Sequence, residues 1–199
     1  KGARLPDELE ISGDPACLQD AELVVFAPPS YAMRAISAKA APYLRDDAVL
    51  VSVSKGVERD TNLRMSEIIH ETTGNRCKVV ALSGPSHAEE VGKNMATTLV
   101  AGAKKRETAE YIQNAFMCDF LRVYTSPDVL GIEIGGALKN VVALAAGIAD
   151  GLGCGDNAKA ALITRGIVEI ARLGVAMGGK IESFTGLTGI GDLIVTCSS

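Results

Sequence analysis

The sequence predicts an α/β fold, in which a mainly parallel sheet covered by helices is followed by an all-helical segment. Three observations carry this. Over the first two thirds, short apolar runs alternate with stretches whose apolar residues recur at helical spacing, the rhythm of βαβ units. The runs are rich in Val, Leu and Ala without polar alternation, as strands buried on both faces require. After about residue 127 the β-like runs stop, and long helices of small residues take over.

The elements read in order as follows. ELVVFAPP (22–29) is the first strand, followed by a helix within SYAMRAISAKAAPYL (30–44). AVLVSVSKG (48–56) is the second strand, with LRMSEIIHETT (63–73) the helix behind it. KVVALSGP (78–85) then leads into a helix at HAEEVGK (87–93), and TTLVAGA (97–103) into one at RETAEYIQNAFM (106–117). FLRVYTS (120–126) closes the sheet. A second, helical domain is expected from residue 130, with helices over 133–150, 157–173 and from near Asp192. Glycine-rich turns GLGCGDN, GVAMGGK and GLTGIGD punctuate it. There is no internal repeat.

Composition narrows the function classes. With 199 residues, 47% of them hydrophobic, the chain has ample material for a core. A net charge of −4 with scattered basic residues argues against nucleic-acid or membrane partners. The five cysteines are odd in number and none is spaced C-x-x-C, and there are only two histidines. These are thiols of a reducing compartment rather than disulfides or metal ligands, so no metal is expected. No signal peptide and no apolar run of about 18 residues stands out, so a soluble, cytoplasmic protein is expected.

Chemistry concentrates where strands end. In an open parallel sheet, ligands bind outside the carboxyl ends of the strands. Lys55 and Gly56 directly follow the second strand, and the third ends in Gly84-Pro85-Ser86. Ser86 with Glu89 reads as an S-x-x-E capping box, a reading compatible with an anion at the same helix start. The histidines, His70 and His87, have no evident partner. Lys139 stands out, because it is the one charged residue between Ala137 and Ala149 in a helix of small and apolar residues. Its neighbours one turn away are Gly135, Gly136, Val142 and Ala143, and no carboxylate pairs with it along the helix. Snorkelling to water is the plain reading; close packing by small residues makes it a candidate for proton transfer instead. Asn140 follows it. Asp192 and Asp156 both read as N-caps, Asp192 alternatively as a carboxylate that orients the lysine, with Thr196 one turn on.

Several of these blocks carry a resemblance. SKG, LSGPSHAEEV, EIGGALKNVVALAAGIADGLGCGDNAKAALITRG and GLTGIGDLIVTCSS closely resemble the bacterial-type NAD(P)-dependent glycerol-3-phosphate dehydrogenases. The likeness runs from about Ala21 to Ser199, and the GGALKN block is its most specific part. It implies a Rossmann-like NAD(P)-binding domain, whose remainder is residues 1–129, and the start of a helical substrate-binding domain, residues 130–199. It implies interconversion of dihydroxyacetone phosphate and sn-glycerol 3-phosphate with NAD(P)H, feeding glycerophospholipid synthesis. Carried over by motif, the catalytic lysine is Lys139. Substrate contacts fall on Lys55, Gly84, Ser86, Asn140, Asp192 and Thr196, and cofactor contacts on Pro29, Lys55 and Ala88. A homodimer is a candidate assembly.

Two parts of the family pattern are not in these 199 residues. One is the G-x-G-x-W-G-T-A phosphate loop, the other an S-R-N segment beyond TCSS. The expectation is therefore a piece of a longer chain, with little activity by itself. Two rival readings are another β-hydroxyacid-type dehydrogenase, which shares the layout and a Lys-Asn pair, and a non-catalytic nucleotide-binding module.

Overall fold

The structure, a computed structural model, describes residues 5–198. Residues 1–4 and 199, the ends of the two expected domains, lie outside the described residues.

Each of the five apolar runs forms a strand: β1 (Leu23–Phe26), β2 (Val49–Ser52), β3 (Lys78–Ser83), β4 (Thr97–Gly102) and β5 (Leu121–Ser126). β1 stops short of Pro28 and Pro29, which have no amide to give a ladder. The sheet follows chain order, β1-β2-β3-β4-β5. β1, β2 and β3 run parallel, with Phe26 beside Ser52 and Ser52 beside Ala81. β4 is antiparallel to β3, and β5 is parallel to β4. The reversal has a simple cause. Parallel neighbours need a long crossover, and between β3 and β4 the chain makes only one short helix, α3 (Ala88–Val91).

Helices α1 (Met33–Ala40) and α2 (Met65–Thr72) cover one face of the sheet, and α4 (Arg106–Phe116) covers the other. Under the first pair lie Phe26, Met33, Leu50, Met65, Ile68 and Ile69. Under α4 lie Val51, Val80, Leu82, Ala101, Ile112 and Val123. Burying each such aliphatic side chain is worth about 1.5–3 kcal/mol, so the sheet holds its strand ends on a rigid base. The helical segment comprises α5 (Val129–Gly151), α6 (Gly155–Ala176), α7 (Ile181–Phe184) and α8 (Asp192–Ser198). It packs around Ile134, Ala146, Ile170, Phe184 and Leu193. A π-helical turn, Leu187–Gly191, delivers the chain into α8.

Four expectations are corrected. The Ser86 capping box does not form: α3 begins at Ala88 behind His87, and the Ser86 hydroxyl donates to the Gly84 carbonyl (3.2 Å). Asp156 is not an N-cap but lies in the first turn of α6, whose cap position is Cys154. α5 begins four residues earlier than the pattern suggested, because Asp128 caps it by accepting from Gly131 N (2.9 Å). Finally, α5 is long and apolar enough by composition to cross a membrane, at 23 residues and a mean hydropathy of 1.6. The apolarity of its first half has a core explanation, since Ile132, Ile134 and Gly136 are buried in the fold, whereas Val141, Leu144 and Ile148 of its second half are exposed.

Candidate active site

The carboxyl ends of β1, β2 and β3 lie side by side because these strands are parallel. Each ends in a turn that the sequence forces. After β1, Pro28 and Pro29 break the strand, and the Ser54 hydroxyl donates to the Pro28 carbonyl (2.5 Å), tying the first two strand ends together. After β2 the chain turns at Gly56, whose φ of +139° suits glycine. A Cβ there would stand 2.8 Å from the Ser30 side chain. Gly84, after β3, has φ +148°, and a Cβ on it would meet the Thr98 carbonyl at 2.8 Å. Both glycines therefore belong to the geometry of the rim.

α5 crosses this rim closely because its residues there are small. A Cβ on Gly136 would lie 3.0 Å from the Ser83 Oγ and 3.6 Å from the Lys55 stem, and one on Gly135 would lie 2.8 Å from the Thr188 carbonyl. That approach brings Lys139 inside. Its side chain is only 9% exposed, and its Nζ donates to Asp192 Oδ1 (2.5 Å) and Thr196 Oγ1 (2.7 Å). Thr196 in turn donates to the Asp192 carbonyl (2.7 Å). The second carboxylate oxygen of Asp192 takes Lys55 Nζ (2.5 Å), which also donates to the Gly84 carbonyl (3.1 Å). The Lys55 ammonium is held below the ordinary lysine value, chiefly by burial, which outweighs the attraction of Asp192.

One carboxylate thus sits between two ammonium groups, all largely withdrawn from water. Two positive charges facing one negative leave a net positive centre, suited to polarising a carbonyl oxygen or receiving an anion. Asp192 is 2% exposed and starts α8, yet its carboxylate serves the lysines.

Of the residues marked from the sequence, Lys55, Gly84, Lys139, Asp192 and Thr196 meet in one hydrogen-bonded cluster. Ser86 joins it at one remove, through the shared Gly84 carbonyl. Asn140 does not join it. It is exposed on the next helical position. Pro29 is exposed in the turn after β1, and Ala88 is exposed at the start of α3. Neither histidine enters the cluster: His87 is exposed beside Glu89 (3.3 Å). The His70 Nδ1 is buried without a partner, and the ring's pKa is lowered by burial and by the charges of Lys104 and Arg64.

Sequence reasoning passed over two buried carboxylates that hold α5. Asp128, besides capping the helix, accepts from Lys180 N (2.8 Å) and Ser183 Oγ (2.6 Å). Glu133 accepts from Arg64 Nη1 (2.6 Å), Ser66 N (2.8 Å) and Ser66 Oγ (2.7 Å). The signals in the sequence are a carboxylate inside an apolar helix pattern for Glu133 and an Asp directly ahead of that pattern for Asp128. No group of three or more metal-ligating side chains exists among the described residues. Among the described residues no strand runs into a G-x-G-x-x-G turn.

Comparison with known proteins gives a consistent result. A family model described as the N-terminus of NAD-dependent glycerol-3-phosphate dehydrogenase matches residues 1–109, and one described as its C-terminus matches residues 128–199. The glycerol-3-phosphate dehydrogenase [NAD(P)+] of Moorella thermoacetica is 54% identical over all 199 residues, which span 59% of its length. The crystal structure of glycerol-3-phosphate dehydrogenase from Coxiella burnetii is 32% identical with a TM-score of 0.94, over 100% of this chain and 61% of that one. The Saccharomyces cerevisiae enzyme gives 30% identity and a TM-score of 0.87, over 100% and 60%. The chain therefore spans about three fifths of the length of these relatives.

Proposed function

The chain belongs to the NAD-dependent glycerol-3-phosphate dehydrogenase family, and from that premise we propose that it interconverts dihydroxyacetone phosphate and sn-glycerol 3-phosphate with NAD(P)H. The observation that carries the proposal is Lys139, buried with its ammonium between Asp192 and Thr196 and with Lys55 on the same carboxylate. We read residues 1–129 as part of the cofactor-binding unit and residues 130–199 as part of the substrate-binding unit. A cytoplasmic enzyme of glycerophospholipid synthesis agrees with five free cysteines and with the family.

NAD(P)H, when bound, supplies hydride to the carbonyl carbon of dihydroxyacetone phosphate. Lys139, as ammonium, hydrogen-bonds the carbonyl oxygen and gives it a proton; in the reverse direction the amine takes the proton from the alcohol. Positioned proton transfer of this kind is worth about 100- to 10,000-fold. Asp192 keeps Lys139 aimed and offsets the repulsion between Lys139 and Lys55. Lys55 and Thr196 contribute hydrogen bonds at the same point, with Gly84, Ser86 and Asn140 lining the substrate side. Pro29, Lys55 and Ala88 face the nicotinamide.

The test is Lys139→Ala in the protein at its natural length. Dihydroxyacetone-phosphate-dependent oxidation of NAD(P)H falls about 100-fold or more, while titration with NAD(P)H shows the binding intact. Turnover near that of the unsubstituted protein sinks the assignment.

A further inference from the structure

We propose that Glu133 is a positioning residue that clamps the loop carrying Lys55 to the helix carrying Lys139, and so fixes both ammonium groups on Asp192. The proposal rests on the catalytic reading above, and it concerns a carboxylate about 9 Å along α5 from Lys139, at 1.5 Å of rise per residue.

Glu133 is 8% exposed, and each oxygen of its carboxylate is occupied. Oε1 accepts from Ser66 N, and Oε2 accepts from Ser66 Oγ and Arg64 Nη1, all within 2.6–2.8 Å. The Ser66 amide belongs to the first turn of α2, where amides lack partners within their own helix. Arg64, at the cap position, offers no side-chain acceptor; Glu67 of α2 itself accepts from Arg64 N (2.9 Å) and Arg64 Nη2 (2.6 Å), and Glu133 of α5 takes the Ser66 amide that the cap residue leaves open. Favourable alignment with the helix dipole adds to the contact.

This helix start is also the return point of the Lys55 loop. Val57 forms a β-bridge with Arg64, and Glu58 N donates to the Leu63 carbonyl (2.8 Å). Lys55 is therefore two residues from a bridge whose other strand is gripped by Glu133. Two chain segments meet at Asp192, and the same two segments meet at Glu133. Closure at both points fixes the translation and rotation of α5 over the rim. Burial raises the Glu133 pKa and the bonds from Ser66 and Arg64 oppose it, so the contact is a costly one to build. Apolar packing would hold two helices together at lower cost. What a hydrogen-bonded ion pair adds is a defined register.

Glu133→Gln places an amide donor against the donors of Arg64 and Ser66 and leaves the packing volume unchanged. The readout independent of turnover is residue-resolved acylation of amines in the natural-length protein, with alkylation of the buried Cys77 thiol as the control for general loosening. Lys55 and Lys139 acylate roughly tenfold faster in the variant, the factor for loss of one charge-assisted hydrogen bond, and Cys77 keeps its rate. Ser66→Ala, which removes only one bond to Glu133, gives the same pattern at smaller amplitude and decides the matter if Glu133→Gln does not fold. Unchanged lysine rates overturn the proposal, and so does a parallel rise at Cys77. Turnover per NAD(P)H-binding site falls up to about 100-fold, as a misplacement of 1 Å can cost, with little change in substrate KM. Should the unsubstituted protein fail to turn over dihydroxyacetone phosphate, the catalytic reading falls, and the acylation pattern still decides the clamp.

Discussion

Asp192 holds together two groups that would otherwise repel. With its carboxylate in place, the Lys55 and Lys139 ammoniums each have an oxygen of their own at 2.5 Å. Asp192→Asn removes the charge and leaves two like charges in a site where burial already weighs against the charged form of Lys55. The lysines then separate, and Lys139 loses its aim. Turnover in the natural-length protein is expected to fall about 100-fold or more. Thr196→Val, which removes one neutral partner of Lys139, costs about tenfold. Steady-state kinetics on both variants check this. A loss under about threefold for Asp192→Asn, less than 1 kcal/mol of barrier, contradicts it.

α5 is fastened by three of its own or adjoining residues, each facing a different neighbour. Asp128 ties its start to α7 and to Lys180, Glu133 ties its second turn to α2, and Lys139 ties its third to α8. Asp128→Ala leaves Gly131 N, Lys180 N and Ser183 Oγ without their acceptor in a place only 7% exposed. Loss of a cap together with buried donors costs about 2 kcal/mol or more. Urea unfolding measures it, and a change under about 0.5 kcal/mol, the size of an ordinary surface substitution, refutes it. These fastenings also show what one strand of text can and cannot reveal. Lys139 was legible because a lone charge in an apolar helix is a local anomaly. Asp192, 53 residues away, reads in the sequence either as an N-cap or as a carboxylate that orients the lysine, and the fold decides for the second by bringing the two together. Glu133 is not singled out by the sequence, because its partners Arg64 and Ser66 come from another element. Asp128 was missed as a cap because the helix was begun at Glu133.

At the scale of the molecule, strand positions and the helical second part followed from periodicity, which is local. The antiparallel step at β4 is not read from the sequence, although the short β3–β4 connection carries it. The network that steadies the N-terminal part is legible only in three dimensions. The Arg34 guanidinium on α1 grips Glu58, in the loop after Lys55, through two bonds of 2.7 and 2.8 Å, and reaches Glu71 on α2 at 2.9 Å. Thr61 donates to the same Glu58 carboxylate (2.7 Å). These donors, Arg34 first, hold the Glu58 carboxyl down to about 2, from an ordinary value of 4.5. A carboxylate with a depressed pKa in the folded state stabilises the fold above its unfolded value, and that stabilisation is lost as pH falls through the folded value. Glu58→Gln therefore lowers stability at neutral pH, and the difference from the unsubstituted protein shrinks between pH 4.5 and about 2. Thermal unfolding of both proteins at neutral pH, pH 4 and pH 2 follows this closing gap. A gap that stays constant over the range means that Arg34 and Thr61 do not hold Glu58 as the geometry shows, and that acid acts on the fold elsewhere.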